Sequence, residues 1–401
     1  MQPYPPLGQR SWAGVKRVLV TGGAGYIGSA LLPKLLESGY QVRLLDLFIF
    51  GREPLGELVK HPNLEIVSGD FRDRALVEMA MREVDAVVHL GAIVGDPACE
   101  LDHHLTIEIN LGATLMIAEV AKYSGVERFV FASTCSVYGA SDEFLNEGST
   151  LNPLSLYSIT KIAAEESLTE LSGPNFCPTF LRFGTIYGLS GRTRFDLVVN
   201  LLAAKALLEG EITVFGGDQW RPFLHVDDAA LAVHKVLEAP KSIIYNQAFN
   251  VGSDEQNFTI DQIAQIVNAM IPSARIVNMG VDMDQRNYRV DFHKTRATLA
   301  FHPHWSVESG IQQVIDGIRR GDIQDYSDIR YSNVKFFRQQ AIPSILDRWT
   351  EHHGAVGDSG AVGSSGAVAS NGAVGRPAGS YRSAITALLN DRAAAVAQYA
   401  R

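Results

Sequence analysis

A glycine-rich turn between a short strand and an amphipathic helix constrains the fold of this chain more than any other feature. Residues 16–21 (KRVLVT) predict a strand, and the helix that follows the turn carries apolar residues on one face and ends at Gly39. A second strand, Gln41 to Leu45, then leads to Asp46. This order predicts one βαβ unit of a parallel sheet. The turn reads Gly22, Gly23, Ala24, Gly25, Tyr26, Ile27, Gly28.

The same turn predicts a binding site for a dinucleotide. Closely spaced glycines let backbone N–H groups approach a pyrophosphate, whose negative charge is stabilised at the N-terminus of the helix. Asp46, about 20 residues further on, can accept hydrogen bonds from a ribose 2′-hydroxyl and would repel a 2′-phosphate. The sequence therefore favours NAD over NADP. Asp70 follows the third predicted strand, where it either contacts the adenine edge or forms a turn that caps the helix beginning near Asp73.

Strands and helices continue to alternate up to Gly184, which predicts a doubly wound parallel α/β sheet with helices on both faces. Beyond that point the alternation loosens, and we expect a smaller, mixed α/β lobe that binds substrate. The predicted domains are 16–185 and 186–335, with segments near 220–250 returning to the first. The further predicted strands are 64–67, 86–90, 128–132, 179–182 and 212–215, and the helices are 75–82, 111–124, 157–171, 195–208, 227–237 and 306–319.

The end of the chain has a different character. From Gly354 a six-residue period repeats four times (GAVGDS, GAVGSS, GAVASN, GAVGRP), and only its valines could pack in a core. We interpret residues 352–380 as a flexible Gly-rich linker and 381–401 as a C-terminal helix.

Composition excludes several classes of protein. Of the 401 residues, 35 are basic and 44 acidic, a formal net charge of −9, which argues against binding to nucleic acid. The three cysteines fit neither a disulfide framework nor a metal ribbon, and no histidine cluster completes a metal-ligand set. Without a signal peptide or an apolar run of about 18 residues, the protein is expected to be cytoplasmic and not to contact a membrane.

A second motif predicts proton transfer. Tyr157 and Lys161 are four residues apart on a predicted helix, so the phenol and the ammonium group share one face. A nearby Lys cation and an oxidised nicotinamide would both lower the pKa of the phenol and make it a proton acceptor for a sugar hydroxyl. Thr134 follows the strand that begins at Arg128, at the carboxyl edge of the sheet, where its hydroxyl can share the substrate's proton with Tyr157.

Taken together, these motifs resemble the extended short-chain dehydrogenase/reductase family, and more narrowly its nucleotide-sugar epimerase and dehydratase branch. The resemblance covers about residues 16 to 320. It implies a Rossmann fold, a tightly held NAD, a nucleotide-diphosphate sugar as substrate and a homodimer formed through the helices 111–124 and 157–171. The motifs that carry it are TGGAGYIGS, Asp46, HLGA at 89–92, STCSVYG, YSITK and RPFLHVDD.

The resemblance also assigns roles to individual residues. Tyr157 and Lys161 act as the base pair, and Thr134 polarises the sugar oxygen. Ser136, Arg221 and Arg286 contact the substrate, the two arginines through the diphosphate, for which the guanidinium fork is well suited; either arginine could instead be a surface ion-pair partner. The residues implied at the cofactor are Gly22, Gly25, Tyr26, Ile27, Gly28, Asp46, Asp70, Leu90, Gly91, Ala92, Asn110, Tyr157, Lys161 and Phe183.

Departures from the family pattern favour one reaction. The 4,6-dehydratases of the family carry Asp-Glu directly after the threonine, and its sugar-acid decarboxylases place Glu at the second of these positions, whereas this chain has Cys135 and Ser136. We therefore expect a 4-epimerase that acts through a transient 4-keto sugar. A nucleotide-ketosugar reductase, a dehydratase and a non-catalytic NAD-binding regulator are the alternatives. Cys135 is either an acid or base next to the ketone or a small packed residue.

Overall fold

The computed structural model describes residues 16–280, 284, 286–342 and 345. The chain divides into two compact units between Phe336 and Phe337. In the second unit the structure describes a π-helical turn, Phe337–Ala341. The linker expected at 352–380 and the helix expected at 381–401 lie outside the described residues.

Strands and helices alternate through the first unit. The strands are β1 (Arg17–Thr21), β2 (Gln41–Asp46), β3 (Leu64–Ser68), β4 (Ala86–His89), β5 (Arg128–Thr134), β6 (Ala140–Leu145), β7 (Cys177–Phe183), β8 (Thr185–Tyr187), β9 (Glu211–Val214), β10 (Trp220–His225), β11 (Gln247–Val251), β12 (Asn257–Thr259), β13 (Arg275–Asn278) and β14 (Asn287–Val290). The α-helices are α1 (Tyr26–Glu37), α2 (Arg74–Ala80), α3 (Asp96–Cys99), α4 (His103–Ile107), α5 (Thr114–Tyr123), α6 (Leu156–Leu171), α7 (Val198–Glu209), α8 (Val226–Glu238), α9 (Lys241–Ile244), α10 (Ile260–Met270), α11 (His293–Leu299), α12 (Val307–Arg320) and α13 (Asn333–Phe336).

The main sheet confirms the doubly wound prediction. Within the described residues it has seven parallel strands in the order β11-β7-β5-β4-β1-β2-β3. Strands β4 and β7 are mostly apolar and are buried along their whole length, as expected for a sheet with both faces covered. Helix α1 packs on α8, while α2 and α6 both pack on α5. The order reverses at β1 and β4, so the ends of these strands open the crevice in which such sheets bind ligands.

The second lobe is built from small sheets and three helices. A three-stranded sheet (β12-β10-β8) and two pairs (β13-β9 and β14-β6) are formed by the described residues. Helices α7, α10 and α12 pack on one another and bury a separate apolar core that includes Val199, Ile263 and Ile311. None of the helices in the described part of the chain is both long and apolar enough to span a membrane.

One segment crosses back from the second lobe. Helix α8 packs on α1, and β11 pairs in parallel with β7 at the edge of the main sheet. Helix α8 and strand β11 lie within the segments near 220–250 that the sequence assigns to the nucleotide-binding domain, and the domain boundaries themselves stay a prediction. The structure also shows what periodicity missed: the helix expected at 111–124 is preceded by a π-helical turn, Glu108–Ala113, and begins as an α-helix only at Thr114.

Candidate functional site

The glycine turn after β1 is closely packed against the loop after β4. Gly22 has a φ of +74°, and a Cβ at this position would lie 2.6 Å from the backbone of Gly91. A Cβ on Gly28 would lie 2.4 Å from the Cα of Gly23, because α1 begins directly against the turn. Side chains are thus excluded at both positions, and the N-terminus of α1 faces the crevice with its first backbone N–H groups. The turn fits a bound pyrophosphate.

Asp46 is held in place at the end of β2. One carboxylate oxygen accepts from the backbone N of Ala24 at 2.9 Å, and the other accepts from that of Phe48 at 2.7 Å. Burial raises the pKa of this carboxyl group, and the two backbone donors lower it. The side chain is therefore oriented by the turn it adjoins, and its remaining lone pairs fit the hydroxyls of a ribose.

Asp70 forms a local turn. Its carboxylate accepts from the backbone N of Arg72 at 2.9 Å and pairs with the Arg72 guanidinium at 2.7 Å. The cap of α2 is Asp73, which accepts from the N–H groups of Ala75 and Leu76. Asp70 is thus a turn residue and does not itself cap the helix. Its contact with adenine stays a prediction.

The loop after β4 is shaped by a buried asparagine. The Asn110 amide donates to the backbone O of Ile93 at 2.9 Å and accepts from its N at 2.8 Å. Leu90 is fixed at the other end by a hydrogen bond from its N to the O of Thr21. Asn110 therefore positions the segment that contains Leu90, Gly91 and Ala92, the stretch expected at the cofactor. Its side-chain O and N are both hydrogen-bonded to Ile93.

Tyr26 and Phe183 occupy two sides of the crevice. The Tyr26 hydroxyl donates to the backbone O of Gly188 at 2.6 Å and accepts from Asn200, so this side chain ties α1 to the segment after β8. Ile27, next on α1, is partly buried against the core of the main sheet. Phe183 is buried at the end of β7, directly beside Thr134 on β5. Tyr26 follows β1 and Phe183 ends β7, so both lie near the carboxyl edge of the main sheet, and their contacts with the cofactor stay predictions.

Thr134, Tyr157 and Lys161 are brought together between β5 and α6. The hydroxyl oxygen of Thr134 accepts from the backbone N of Ser136 at 3.1 Å, and the Thr134 side chain is also hydrogen-bonded to Tyr157. The Lys161 ammonium donates to the backbone O of Ala132 at 2.7 Å and lies 5.8 Å from the centre of the Tyr157 ring. Because an N–H already uses an oxygen lone pair of Thr134, its O–H is free to point at the phenol oxygen.

Burial dominates the protonation of this group. It raises the pKa of Tyr157 above its ordinary value; Cys99 and Asp96 add to this effect, whereas Arg194 and the hydrogen bond from Thr134 oppose it.

The neighbouring ammonium responds in the opposite sense. Burial lowers the pKa of Lys161 to about 8, against the influence of Cys99 and Glu165. In the protein alone, the lowered pKa expected for Tyr157 is therefore absent, because both groups lie out of water. A second group expected to lower the pKa of Tyr157 is an oxidised nicotinamide, through its positive charge.

A buried ion pair supports α6 from below. Glu165 lies one turn beyond Lys161, and its carboxylate pairs with Arg182 of β7 at 2.6 Å. The Ser133 hydroxyl donates to the same carboxylate, and the Arg182 guanidinium donates to the Tyr138 hydroxyl at 3.1 Å. This network fixes the helix that carries Tyr157 against the strands that carry the other site residues.

Cys135 is packed and Ser136 faces the second lobe. The Cys135 thiol donates to the backbone O of Arg182 at 3.1 Å, and burial raises its pKa. This geometry favours the packed residue over the acid or base. The Ser136 hydroxyl lies 3.4 Å from that of Tyr288 and 3.5 Å from the Arg286 guanidinium.

Arg221 and Arg286 share one carboxylate. Asp284 lies 3.2 Å from the Arg221 guanidinium and is paired with Arg286 through both of its oxygens. Arg286 also reaches Asp96 at 3.1 Å, and Asp96 accepts from the Ser155 hydroxyl at the start of α6 at 2.7 Å. The two arginines expected to hold a diphosphate thus lie together, and both form ion pairs with the carboxylate of Asp284.

Sequence reasoning missed several polar residues at this site. Asp96, Glu165 and Arg194 all influence the pKa of Tyr157 or of Lys161. Asp284 and Arg286 form one of several Asp and Arg pairs two residues apart, and the same spacing recurs at Asp70 with Arg72 and at Arg194 with Asp196. That spacing was the signal available in the sequence.

Comparison with known proteins agrees with this geometry. The model of the NAD dependent epimerase/dehydratase family matches residues 18–252, more than half of the chain. The chain belongs to this family. It is similar to a UDP-glucuronic acid decarboxylase of Danio rerio (28% identity over 80% of this chain and 76% of that protein) and to an uncharacterized UDP-glucose epimerase of Bacillus subtilis (29% over 75% and 96%).

A solved structure extends the comparison to ligands. UDP-glucuronic acid 4-epimerase from Bacillus cereus, in complex with UDP-glucuronic acid and NAD, superposes with a TM-score of 0.69 at 26% identity, covering 76% of this chain and 99% of its own. Members of the family are NAD-dependent, and the cofactor of this chain is NAD. The excluded side chains at Gly22 and Gly28 and the oriented Asp46 carboxylate agree with that assignment.

Proposed function

We propose that this protein is an NAD-dependent nucleotide-sugar 4-epimerase that acts through a transient 4-keto sugar. The observation that carries the proposal is the group of Thr134, Tyr157 and Lys161 with no acidic side chain after Thr134. Cys135 points its thiol at a backbone oxygen, and Ser136 bears only a hydroxyl. A 4-epimerase needs one acid–base residue at the sugar oxygen, and Tyr157 supplies it.

The side chains have separable roles in this reaction. When bound, NAD supplies a hydride acceptor that later returns the hydride to the opposite face of the sugar. Tyr157 takes the proton of the sugar 4-hydroxyl and gives it back when the keto group is reduced. Thr134 donates its O–H to the oxygens that share this proton, and the Lys161 ammonium stabilises the phenolate. Arg221, Arg286 and Ser136 hold the nucleotide diphosphate. The diphosphate replaces the Asp284 carboxylate as the partner of the two guanidinium groups.

A decarboxylase is the second candidate, because one of the relatives is named as a UDP-glucuronic acid decarboxylase. This chain has Ser136 where the decarboxylases of the family place a glutamate. The two reactions differ in stoichiometry: a decarboxylase releases carbon dioxide, whereas an epimerase conserves every atom of its substrate.

The test is incubation with a panel of UDP-, dTDP- and GDP-sugars, including uronic acids, followed by separation of the products. We expect 4-epimers, no carbon dioxide and no net change in nicotinamide absorbance. Steady consumption of reduced cofactor would identify a ketosugar reductase, a 4-keto-6-deoxy product would identify a dehydratase, and carbon dioxide would identify a decarboxylase; each contradicts the proposal. Light scattering on the same sample tests the proposed homodimer.

A further inference from the structure

A buried arginine beside the cofactor turn has no role in the site described so far. Arg192 is 5% exposed, and its Nε and one terminal nitrogen have no hydrogen-bond partner among the described residues. The Cζ atom of its guanidinium lies over the ring of Phe50, 3.8 Å from the ring centre. A guanidinium out of water normally has its donors satisfied by a carboxylate or another acceptor. Here an aromatic ring is the contact, so the donors remain available.

The backbone around Arg192 is fixed on the first turns of α1. The Arg192 N donates to the Ser29 hydroxyl at 3.2 Å, and the Ser29 and Ser190 hydroxyls are 3.1 Å apart. Tyr26 holds the start of this segment through the backbone O of Gly188. The position of Arg192 is therefore set by the helix whose N-terminus adjoins the glycine turn.

The side chain extends from there to the loop that follows Asp46. Phe50 lies four residues beyond Asp46, and the backbone N of Phe48 in the same loop is bound by the Asp46 carboxylate. Arg192 thus lies between the start of α1, which fits a pyrophosphate, and the loop after β2, which adjoins the ribose position.

Within the described part of the chain, no carboxylate forms an ion pair with the Arg192 guanidinium, although Asp196 attracts it at longer range. Asp196, the acidic residue nearest in sequence, pairs with Arg194 through both oxygens, at 2.9 and 3.0 Å, and accepts from the backbone N of Asn333. Burial, and after it Arg194, lower the pKa of Arg192 to about 9. A bound anion would supply the counter-charge that the Arg192 guanidinium lacks.

We infer that Arg192 is a binding residue for the pyrophosphate of NAD, next to the N-terminus of α1 and the loop after β2. This inference rests on the NAD dependence of the family and not on the 4-epimerase reaction, so the two can fail separately. The donors of the guanidinium supply charge-assisted hydrogen bonds to phosphate oxygens, and the ring of Phe50 holds its plane.

Binding of nucleotide fragments tests the inference without turnover. The affinities of ADP, adenosine and adenosine 2′,5′-bisphosphate are measured by calorimetry for the wild type, Arg192→Gln, Arg192→Lys and the control Arg52→Gln. Arg52 lies in the same loop region but is exposed and stacks on Phe48. We expect Arg192→Gln to weaken ADP about 10- to 100-fold and adenosine little. Arg192→Lys keeps part of the ADP affinity, and Arg52→Gln keeps all of it.

Thermal unfolding of the nucleotide-free protein gives an independent readout. We expect Arg192→Gln to unfold at a higher temperature than the wild type, because it removes a buried cation without a counter-charge. Three results would overturn the inference: equal losses for ADP and adenosine, an unchanged ADP affinity, or a loss confined to the 2′-phosphate of the bisphosphate.

Discussion

The hydroxyl of Tyr157 is the atom on which the proposed reaction depends. Tyr157→Phe keeps the ring and its packing and removes only the group that exchanges a proton with the sugar. We expect turnover to fall about 10²- to 10⁴-fold, the range for a lost acid–base residue, while NAD remains bound. Product formation and cofactor content measure the two effects. Tyr123→Phe, at a position 81% exposed, is the control. Unchanged turnover in Tyr157→Phe would show that Tyr157 is not the acid–base residue of the reaction.

The buried ammonium of Lys161 makes folding stability depend on pH. Its pKa is about 8 in the folded protein and 10.5 ordinarily, so between these values the unfolded chain binds more protons. The contribution of Lys161 to stability therefore rises with pH from about 8 to about 10.5, by up to about 3 kcal/mol.

Lys161→Met lacks this contribution, and Lys60→Met, at an exposed residue, is the matched control. Denaturant unfolding at pH 7 and pH 10 should show the wild type gaining stability relative to Lys161→Met as pH rises. A difference between the two proteins that stays constant with pH would show that Lys161 keeps its ordinary pKa.

At the residue scale the structure shows which of the expected side chains lie together, and their roles in the reaction stay predictions. Thr134, Tyr157 and Lys161 are together as expected, and so are Ser136, Arg221 and Arg286. The sign of the pKa shift at Tyr157 was not predictable, because it depends on how much water the fold excludes. The hydrogen bonds of the Asn110 amide to the backbone of Ile93 were not predictable either, because no local sequence pattern shows that these two residues meet.

At the scale of elements, Gly22 and Gly39 illustrate two different reasons why a position requires glycine, close packing and a positive φ. Gly22 and Gly39 both have positive φ, but a Cβ at Gly22 meets the backbone of Gly91 at 2.6 Å and a Cβ at Gly39 meets nothing within 4 Å. Gly39→Ala should cost about 1–2 kcal/mol in unfolding free energy and leave NAD affinity unchanged. Gly22→Ala should cost more and lose most NAD binding. Equal losses of unfolding free energy and of NAD affinity in the two variants would show that the close approach of the Gly91 backbone to Gly22 has no effect.

The buried pair of Glu165 and Arg182 joins α6 to β7. Glu165→Gln leaves the guanidinium without its counter-charge, and we expect a loss of about 3–5 kcal/mol in unfolding free energy. Glu165→Leu combined with Arg182→Met should lose less, because no buried charge remains. Glu166→Gln, on the exposed side of the same helix, is the control. A Glu165→Gln protein as stable as that control would show that water reaches the pair.

Periodicity found the longer elements of both lobes and missed short strands, most of them in the second lobe. The strands β1 to β5 and the helices α1, α6 and α12 follow the expected patterns within a few residues. The short strands β8, β12 and β14 have three or four residues each and pair only through distant partners, so their sequences carry no local signal. β11 was missed for the same reason, because its pairing with β7 is a property of the whole fold.

For the whole molecule, the described site residues all lie between residues 16 and 336. We therefore expect deletion of residues 352–401 to leave NAD binding and turnover within the error of the assays. Calorimetry with NAD and product analysis on the shortened and full chains provide the comparison. Loss of either property in the shortened chain would show that the hexapeptide repeats or the segment after them belong to the working enzyme.

The return of β11 to the main sheet has a consequence for the order of events during synthesis. A growing chain that ends before Gln247 has β7 as an open sheet edge and lacks the strand that pairs with it. Helix α8, which covers α1, is also incomplete until Glu238 has emerged. The main sheet cannot be completed during synthesis before Val251 has emerged, which is after helix α7 and strands β9 and β10 of the second lobe. For the same reason the two lobes cannot be expressed as separate fragments by cutting the chain once.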